Sequence, residues 1–247
     1  MISTVIIAKN EEKHIAACIQ SVSFTDEIIV IDNGSSDKTT DIAQHLSARV
    51  IDMSDIQDFS KLRTRGIEEA QNNWILFVDA DEILSTELQS SIIKEIQNPK
   101  YVIYYLKRRD HWWGRVLRYG EIQSAYSKGF IRFIRRGTGQ WSGAVHEVYK
   151  TSKKAGHLSG FIDHYPHVTL HEFVDKINIY SSLRAKELHV YGSSSTILEI
   201  LFMPFLKFVY TYGVCLGFLD GPSGFVYSFL MSFHSFLVRA KLYMMKS

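Results

Sequence analysis

Trp74-Ile75-Leu76-Phe77-Val78-Asp79-Ala80-Asp81-Glu82 runs five apolar residues straight into a cluster of three carboxylates. An apolar run without alternation is the pattern of a strand covered on both faces. Similar β-rich runs stand at Ile2 to Ala8, Glu27 to Asp32 and Arg49 to Asp52, and segments of helical period, as at Ile15, Ile19 and Val22, lie between them. Strand and helix in alternation predict an α/β fold, a mixed, mainly parallel sheet with helices on both faces. Three of the runs lead into polar clusters: Lys9-Asn10-Glu11-Glu12, Asp32-Asn33-Gly34-Ser35-Ser36-Asp37 and Asp79-Ala80-Asp81-Glu82. Ligands of open α/β sheets bind beyond the carboxyl ends of the strands, so these clusters are expected to converge on one site.

The length of 247 residues fits one mixed domain with an appendage. Hydrophobic residues at 46% and charged residues at 22% exclude long disorder or coiled coil. Lys+Arg at 28 against Asp+Glu at 26 leaves +2, too small a surplus for a nucleic-acid partner. Cys18 and Cys215 stand far apart in apolar surroundings and read as reduced core residues of a cytoplasmic protein. Met1 to Ala8 meets Lys9, Asn10, Glu11 and Glu12 at once, which predicts no conventional signal peptide.

The second half changes character. Tyr101 to Lys107 reads as a strand, Arg108 to Gly120 as an irregular basic and aromatic stretch, and Gly129 to Arg135 as a strand. Phe161 to Tyr165 reads as a further strand. A helix from about His171 to Tyr191 carries Phe173, Ile177, Tyr180 and Leu183 on one stripe. Gly192-Ser193-Ser194-Ser195 is the linker candidate, dividing residues 1–191 from a tail of 196–247. That tail holds eight phenylalanines and two acids, Glu199 and Asp220.

Within the tail, Phe225, Phe229, Phe233 and Phe236 form one stripe and Ser228, Ser232, Ser235 and Arg239 another, so this segment reads as an amphipathic helix. Leu198 to Tyr212 supplies a second apolar surface. A spanning helix needs ~20 apolar residues, and Pro204, Lys207, Asp220 and Pro222 interrupt every candidate. The expectation is two helices lying in a membrane interface, with Lys207, Arg239, Lys241 and Lys246 near anionic head groups. An oligomer interface and an ordinary core helix are the alternatives.

Asp79 and Asp81, at the end of a buried strand, suit a hard divalent cation that keeps positions open for phosphate. The structural alternative is a solvated turn or helix cap. Asp32 opens a turn permitted by Gly34, with Ser36 or Asp37 as a helix cap, or else accepts hydrogen bonds from a ribose or base. No G-x-G-x-x-G follows the first strand, so a dinucleotide cofactor is not expected.

Val5-Ile6-Ile7-Ala8-Lys9-Asn10-Glu11, Ile29-Val30-Ile31-Asp32-Asn33-Gly34-Ser35-Ser36-Asp37 and the Trp74 to Glu82 stretch together resemble family 2 glycosyltransferases of the GT-A fold. Arg132-Phe133-Ile134-Arg135-Arg136, Trp141-Ser142-Gly143-Ala144-Val145-His146-Glu147 and Asp163-His164-Tyr165 are similar to the branch with lipopolysaccharide-core β-glucosyltransferases. The resemblance covers roughly residues 1 to 190, and less specifically the tail. It implies a nucleotide-sugar-binding half (1–100) and an acceptor-binding half (101–191), followed by the helical tail.

The implied reaction is inverting, metal-dependent transfer of a hexose. The donor is a nucleotide-diphosphate sugar, with UDP-glucose favoured, and the acceptor a lipopolysaccharide-core or lipid-linked saccharide. The implied donor contacts are Ala8, Asn10, Glu11, Asp32, Arg63, Asp79, Ala80 and Asp81. Arg63 stands in Phe59-Ser60-Lys61-Leu62-Arg63-Thr64, where Thr64 replaces the family's asparagine. Magnesium or manganese would be held by Asp81 and His164, with His157, His167 and His171 as chemically equivalent competitors. Glu147 is the implied catalytic base, and His146 a weaker one. Replacing Glu147 by Gln is expected to remove turnover with little change in stability. Trp113, Arg132, Trp141 and His146 are candidates for the acceptor or its phosphate, and Arg135 and Arg136 extend the basic edge. The expected location is cytoplasmic, peripheral on the inner face of the cytoplasmic membrane. Competing readings are a nucleotidyltransferase and a non-catalytic nucleotide-sugar-binding protein; Lys9-Asn10-Glu11-Glu12 is acidic where the former shows a Gly-rich basic loop.

Overall fold

The computed structural model describes residues 1–54, 56, 58–143, 147–166 and 169–245. In chain order the elements are β1 (Ile2–Ala8), α1 (Ile15–Ser21), β2 (Glu27–Asp32), α2 (Thr39–His45), β3 (Arg49–Asp52), α3 (Phe59–Glu69), β4 (Trp74–Asp79), β5 (Glu82–Leu84), α4 (Thr86–Gln97) and β6 (Ile103–Trp112). There follow β7 (Arg115–Leu117), α5 (Gln123–Ser127), β8 (Phe130–Arg135), β9 (Gln140–Ser142), β10 (Val148–Lys150), β11 (Gly156–His164), α6 (Leu170–Val190), α7 (Ile197–Phe208) and α8 (Gly221–Met244). They form two compact units. The first joins Met1–Arg109 to Ser127–His164, and the second joins Asp110–Tyr126 to the chain from Tyr165 on. The chain thus divides elsewhere than at the 192–195 linker, because α6 packs along α8.

In the first unit the strand order is β3-β2-β1-β4-β8-β6-β11-β5. β3, β2, β1 and β4 are parallel, whereas β8 pairs antiparallel with β4 and β6, and β11 with β5. Side chains of β1 alternate between two cores. Ile2, Ile6 and Ala8 pack with Ile15, Cys18, Ile19, Ala43, Leu88 and Ile92 of α1, α2 and α4, while Val5 and Ile7 face Leu62 of α3 with Trp141 and Tyr149 of the β9–β10 ribbon. Burial on both faces is why these strands read as continuous apolar runs. α3 lies close on β1 because Gly66 has no Cβ; one built there would overlap the Val5 side chain. Cys18 is buried, but Cys215 is only half-buried, so the second cysteine is not a core residue.

The second unit corrects the reading of residues 108–120 as irregular. β6 continues to Trp112 and turns back into β7, with Trp112 opposite Arg115. Trp113 and Gly114 both take positive φ, +48° and +71°, as a two-residue hairpin turn matching the strand twist demands. In α6 the buried stripe is Phe173, Ile177, Ser181 and Ala185; Tyr180 is exposed, so the expected stripe drifts off the core. Pro204 does not end α7. The helix passes through it and continues as a π-helical turn over Val209–Val214.

In the tail the phenylalanine stripe is turned outward, as a helix in a membrane interface requires and an ordinary core helix does not. Ser228 and Ser232 of α8 are 2% and 9% exposed, whereas Phe225 and Phe229 are 46% and 56% exposed, and Phe233 and Phe236 are also exposed. Small residues let α8 approach its neighbours closely, and Ser232 Oγ donates to the Pro204 carbonyl at 2.6 Å.

Candidate active site

Asp79 closes β4 and is gripped by two arginines. Arg132 of β8 donates from Nη2 to Oδ2 at 2.8 Å and from Nη1 to Oδ1 at 3.3 Å, and Arg63 Nη2 reaches Oδ1 at 3.0 Å. Burial alone would raise the Asp79 pKa; Arg132 and then Arg63 more than reverse this and hold it well below the usual carboxylate range.

Arg63 extends from α3, whose start is capped by Asp58 accepting from the Ser60 amide at 3.0 Å. Its side chain is 2% exposed. Nε donates to Glu147 Oε1 at 2.8 Å and Nη2 lies 2.7 Å from the same oxygen. The guanidinium sits 4.9 Å from the Trp141 ring and 5.8 Å from that of Phe77. One buried cation therefore joins Asp79 to Glu147, and Trp141 is the aromatic wall that seats it.

The sequence places Glu82 in the third polar cluster without giving it a role, and gives Arg108 none. Glu82 is fully buried and accepts from the Asp79 amide through Oε2 at 2.9 Å. Its Oε1 has no hydrogen-bond partner among the described residues and stands 3.7 Å from Arg108 and 3.8 Å from Arg132. Burial, with Asp79 adding to it, pushes the Glu82 pKa up against the pull of Arg132 and Arg108. The available signal was an acid directly after D-x-D where a strand resumes.

Asp81 occupies the β4–β5 turn. Antiparallel pairing of β5 with β11 sets His164 opposite Glu82, which brings His164 Nε2 to 3.4 Å from Asp81 Oδ2. The competing histidines are elsewhere: His157 stacks on Tyr105 at 5.1 Å, His171 pairs with Asp175 on α6 at 3.3 Å, and His167 lies outside the described residues.

The loops after β1 and β2 hold each other. Asp32 takes the Gly34 and Ser35 amides at 3.2 and 3.0 Å and the Ser35 hydroxyl at 2.5 Å, so its carboxylate is spent on its own turn. Asn10, at φ +55°, accepts the Ser36 amide at 2.8 Å and donates its own to Ser35 Oγ at 2.9 Å. The Glu11 amide donates to Thr39 Oγ1 at 2.8 Å. Asp37, not Ser36, accepts the Thr39 amide at the start of α2, at 3.0 Å. Ala8 accepts the Asn33 amide and Ala80 donates to Ile7, at 2.9 and 3.1 Å.

Several expected contacts are committed otherwise. Arg132 is buried on Asp79 and not presented as a phosphate ligand. Arg136 donates to the carbonyls of Ile67, Ala70 and Asn72 behind α3, and Arg135 is exposed on β8. Trp113 belongs to the second unit, where its ring stacks on Trp112 at 4.3 Å. His146 lies outside the described residues. A pocket bounded by Met1, Gln71, Asn72, Asn73, Trp74 and Arg135 sits at the amino ends of β1 and β4, away from the acids.

Asp81 and His164 are a donor pair suited to a divalent cation. No cluster of three or more potential ligands occurs among the described residues. A carboxylate oxygen and an imidazole nitrogen leave the other positions for diphosphate oxygens and water, the habit of Mg²⁺ and Mn²⁺ at phosphate sites. Both oxygens of Asp79 already face arginine, so it adds nothing to that pair.

The chain matches the family described as Glycosyl transferase family 2 over residues 3–150. It is 32% identical to an uncharacterized glycosyltransferase of Rickettsia typhi, covering 98% of this chain and 86% of that one. It is 27% identical to the lipopolysaccharide core biosynthesis glycosyltransferase LpsC of Rhizobium meliloti, covering 98% and 92%. Among solved structures, S. aureus TarS 1–349 in complex with UDP-GlcNAc superposes with a TM-score of 0.53 at 14% identity, over 95% of this chain and 81% of that one. Glucosyl-3-phosphoglycerate synthase of Mycobacterium tuberculosis, in complex with phosphoglyceric acid, gives 0.50 at 21% identity over 70% and 74%. These two likenesses establish the GT-A-like fold. A family match over more than half the chain, with a relative above 30% identity along nearly all of it, makes the protein a glycosyltransferase of family 2.

Proposed function

We propose that the protein moves a hexose, with glucose the favoured sugar, from a nucleotide-diphosphate donor to a lipopolysaccharide-core or lipid-linked acceptor, inverting the anomeric carbon. The observation that carries this reading is Arg63, which fixes Glu147 and the strand-end Asp79 on one guanidinium. A single-displacement transfer needs one base beside the donor sugar. The acceptor hydroxyl gives its proton to Glu147 while its oxygen attacks the anomeric carbon, and the bond from that carbon to the diphosphate breaks. Arg63 occupies Glu147 Oε1, which leaves Oε2 for the proton.

Asp79, kept ionised by its arginines, accepts hydrogen bonds from the sugar or ribose. Asp32, Asn10 and Glu11 act by fixing the two loops that wall the nucleotide. Magnesium or manganese, held by Asp81 and His164, would supply positive charge to the departing diphosphate. The name of LpsC supports a lipopolysaccharide-core acceptor, and such an acceptor puts the reaction at the inner face of the cytoplasmic membrane.

The test incubates the full chain with a panel of nucleotide sugars and divalent metals. Metal-dependent release of nucleoside diphosphate, fastest with UDP-glucose, is the expected result. Pyrophosphate release would mean nucleotidyl transfer, and binding without turnover would mean a non-catalytic role.

A further inference from the structure

We infer that α7 is immersed in the hydrocarbon of one membrane leaflet, with the phenylalanine stripe of α8 as its continuation, so that the second unit is anchored and not merely surface-bound. α7 has no buried residue. At 100° per residue, exposed Ile197, Leu201, Phe205, Phe202, Leu206 and Met203 spread over an arc of about 240°. A helix seated on one protein face typically shows an apolar stripe of roughly 100° or somewhat more, whereas one apolar over most of its circumference needs apolar surroundings on most sides. Ile197–Val214 has a mean hydropathy of 1.5 over 18 residues, with 6% of them buried.

The interior of the pair has the same chemistry. α8 meets its neighbours closely through small residues, Ser232 on the Pro204 carbonyl and Gly224 and Ser228 against Gly217; Phe225 packs edge-on against Phe208 and Tyr212, while Phe229, Phe233 and Phe236 are exposed. Water-soluble helices put the rings inside; helices in lipid pack on small residues.

Charge and tethering set the depth. The tail's acids are engaged, Glu199 in the capping box of α7 and Asp220 on the Arg118 and Tyr119 amides. Of its bases, Lys207 is held by Glu121 and Lys241 by Asn178, Ser181 and Ser182, so the charge left for an anionic lipid surface is that of Arg239 and Lys246. Lys207 pairs with Glu121 at 2.6 Å, and the Gly120 amide donates to the Cys215 carbonyl at 2.9 Å. α7 is thus held at both ends by the same unit, α6 leading in and residues 118–121 fixing its far end, which fits a helix lying in one leaflet and not crossing. This sharpens the membrane location proposed above and stands whether or not the chain transfers sugar.

The test is flotation of the full chain with phosphatidylcholine vesicles, with and without phosphatidylglycerol, followed by a wash in about 0.5 M NaCl, which screens surface electrostatics. Binding that survives the wash is expected. Leu201→Glu with Phe205→Glu should lower the partition by at least about 100-fold, while melting and nucleoside diphosphate release stay unchanged. A diazirine-bearing acyl chain should label residues 197–209 and 225–236 of the unmodified protein, which tests the idea even where the variant misfolds. Failure to float, release by salt, label confined to other segments, or a lipid-free oligomer that the same variant dissolves would each overturn it. Loss of transferase activity with flotation intact would strike only the proposed function.

Discussion

Glu147→Gln separates two roles that the structure gives one side chain. Two contacts, at 2.8 and 2.7 Å, tie Oε1 to a guanidinium that is itself buried. Glutamine keeps the oxygen and loses the charge. A hydrogen bond to a charged group contributes about 1.5–3 kcal/mol, and at about 2–4 °C per kcal/mol for a chain of this size the melting temperature should fall by about 3–12 °C. The near-isosteric replacement is therefore not silent in stability, contrary to what the sequence suggests. Turnover should fall further than folding explains, by about 10²–10⁴. The assay is steady-state release of nucleoside diphosphate with saturating donor and acceptor, at least about 15 °C below the variant's melting point, beside donor affinity by calorimetry. Affinity within about threefold of wild type, with the full loss of turnover, is the expected pair of results. Turnover within about tenfold of wild type would refute the assignment and leave Glu147 as a partner of Arg63 alone.

Gly66→Ala should cost about 1–3 kcal/mol, because the new methyl meets Val5 and pushes α3, with Arg63, off the sheet; denaturation and activity should fall together, and an unchanged midpoint would contradict the packing. Asp79→Asn addresses pH. The folded pKa of Asp79 is depressed, so its contribution to stability is complete above the ordinary carboxylate range and is lost as pH falls below it. The gap in melting temperature between wild type and Asp79→Asn should hold steady at neutral pH and narrow below about pH 4; a gap that persists into strong acid would contradict the ion pairs.

The parallel half of the fold was legible because strands buried on both faces announce themselves as apolar runs. β1, β2, β3 and β4 begin and end at the expected residues. β6 was cut short because Arg108, Arg109 and Asp110 look like a loop; in the sheet Arg108 faces Glu82, and Arg109 makes a two-pronged pair with Asp163 at 2.8 and 2.6 Å. The convergence of Asp79, Asp81 and His164 could be expected from strand ends and resemblance. The partners of Asp79 could not, since Arg63 and Arg132 come from a helix and an antiparallel strand whose pairing no periodicity reveals. In α8 the two stripes were legible. Spacing alone does not say which of them faces the protein, since it is the same in water and in lipid; the reading of the phenylalanines as turned to a membrane agrees with their exposure.

The charges of the site bear on the metal proposed for Asp81 and His164. Asp79, Glu82 and Glu147 stand against Arg63, Arg108 and Arg132, so the inner cluster is close to neutral before any ligand arrives. Asp81 adds a negative charge, and a nucleotide diphosphate brings more than one. Without another cation, the diphosphate would approach Asp81 at a net electrostatic cost, and His164 supplies at most one positive charge. A divalent ion between them reverses the sign. Nucleoside diphosphate at about a hundred times its dissociation constant should therefore stabilise the protein by about 2.7 kcal/mol with Mg²⁺ or Mn²⁺ present, and by little in a chelator. Asp81→Ala should lose the metal-dependent part of that shift while Asp79, still gripped by Arg132, preserves the fold. An equal thermal shift in wild type with metal, in wild type with chelator and in Asp81→Ala would show that the diphosphate binds without a metal and that the Asp81 and His164 pair holds no ion.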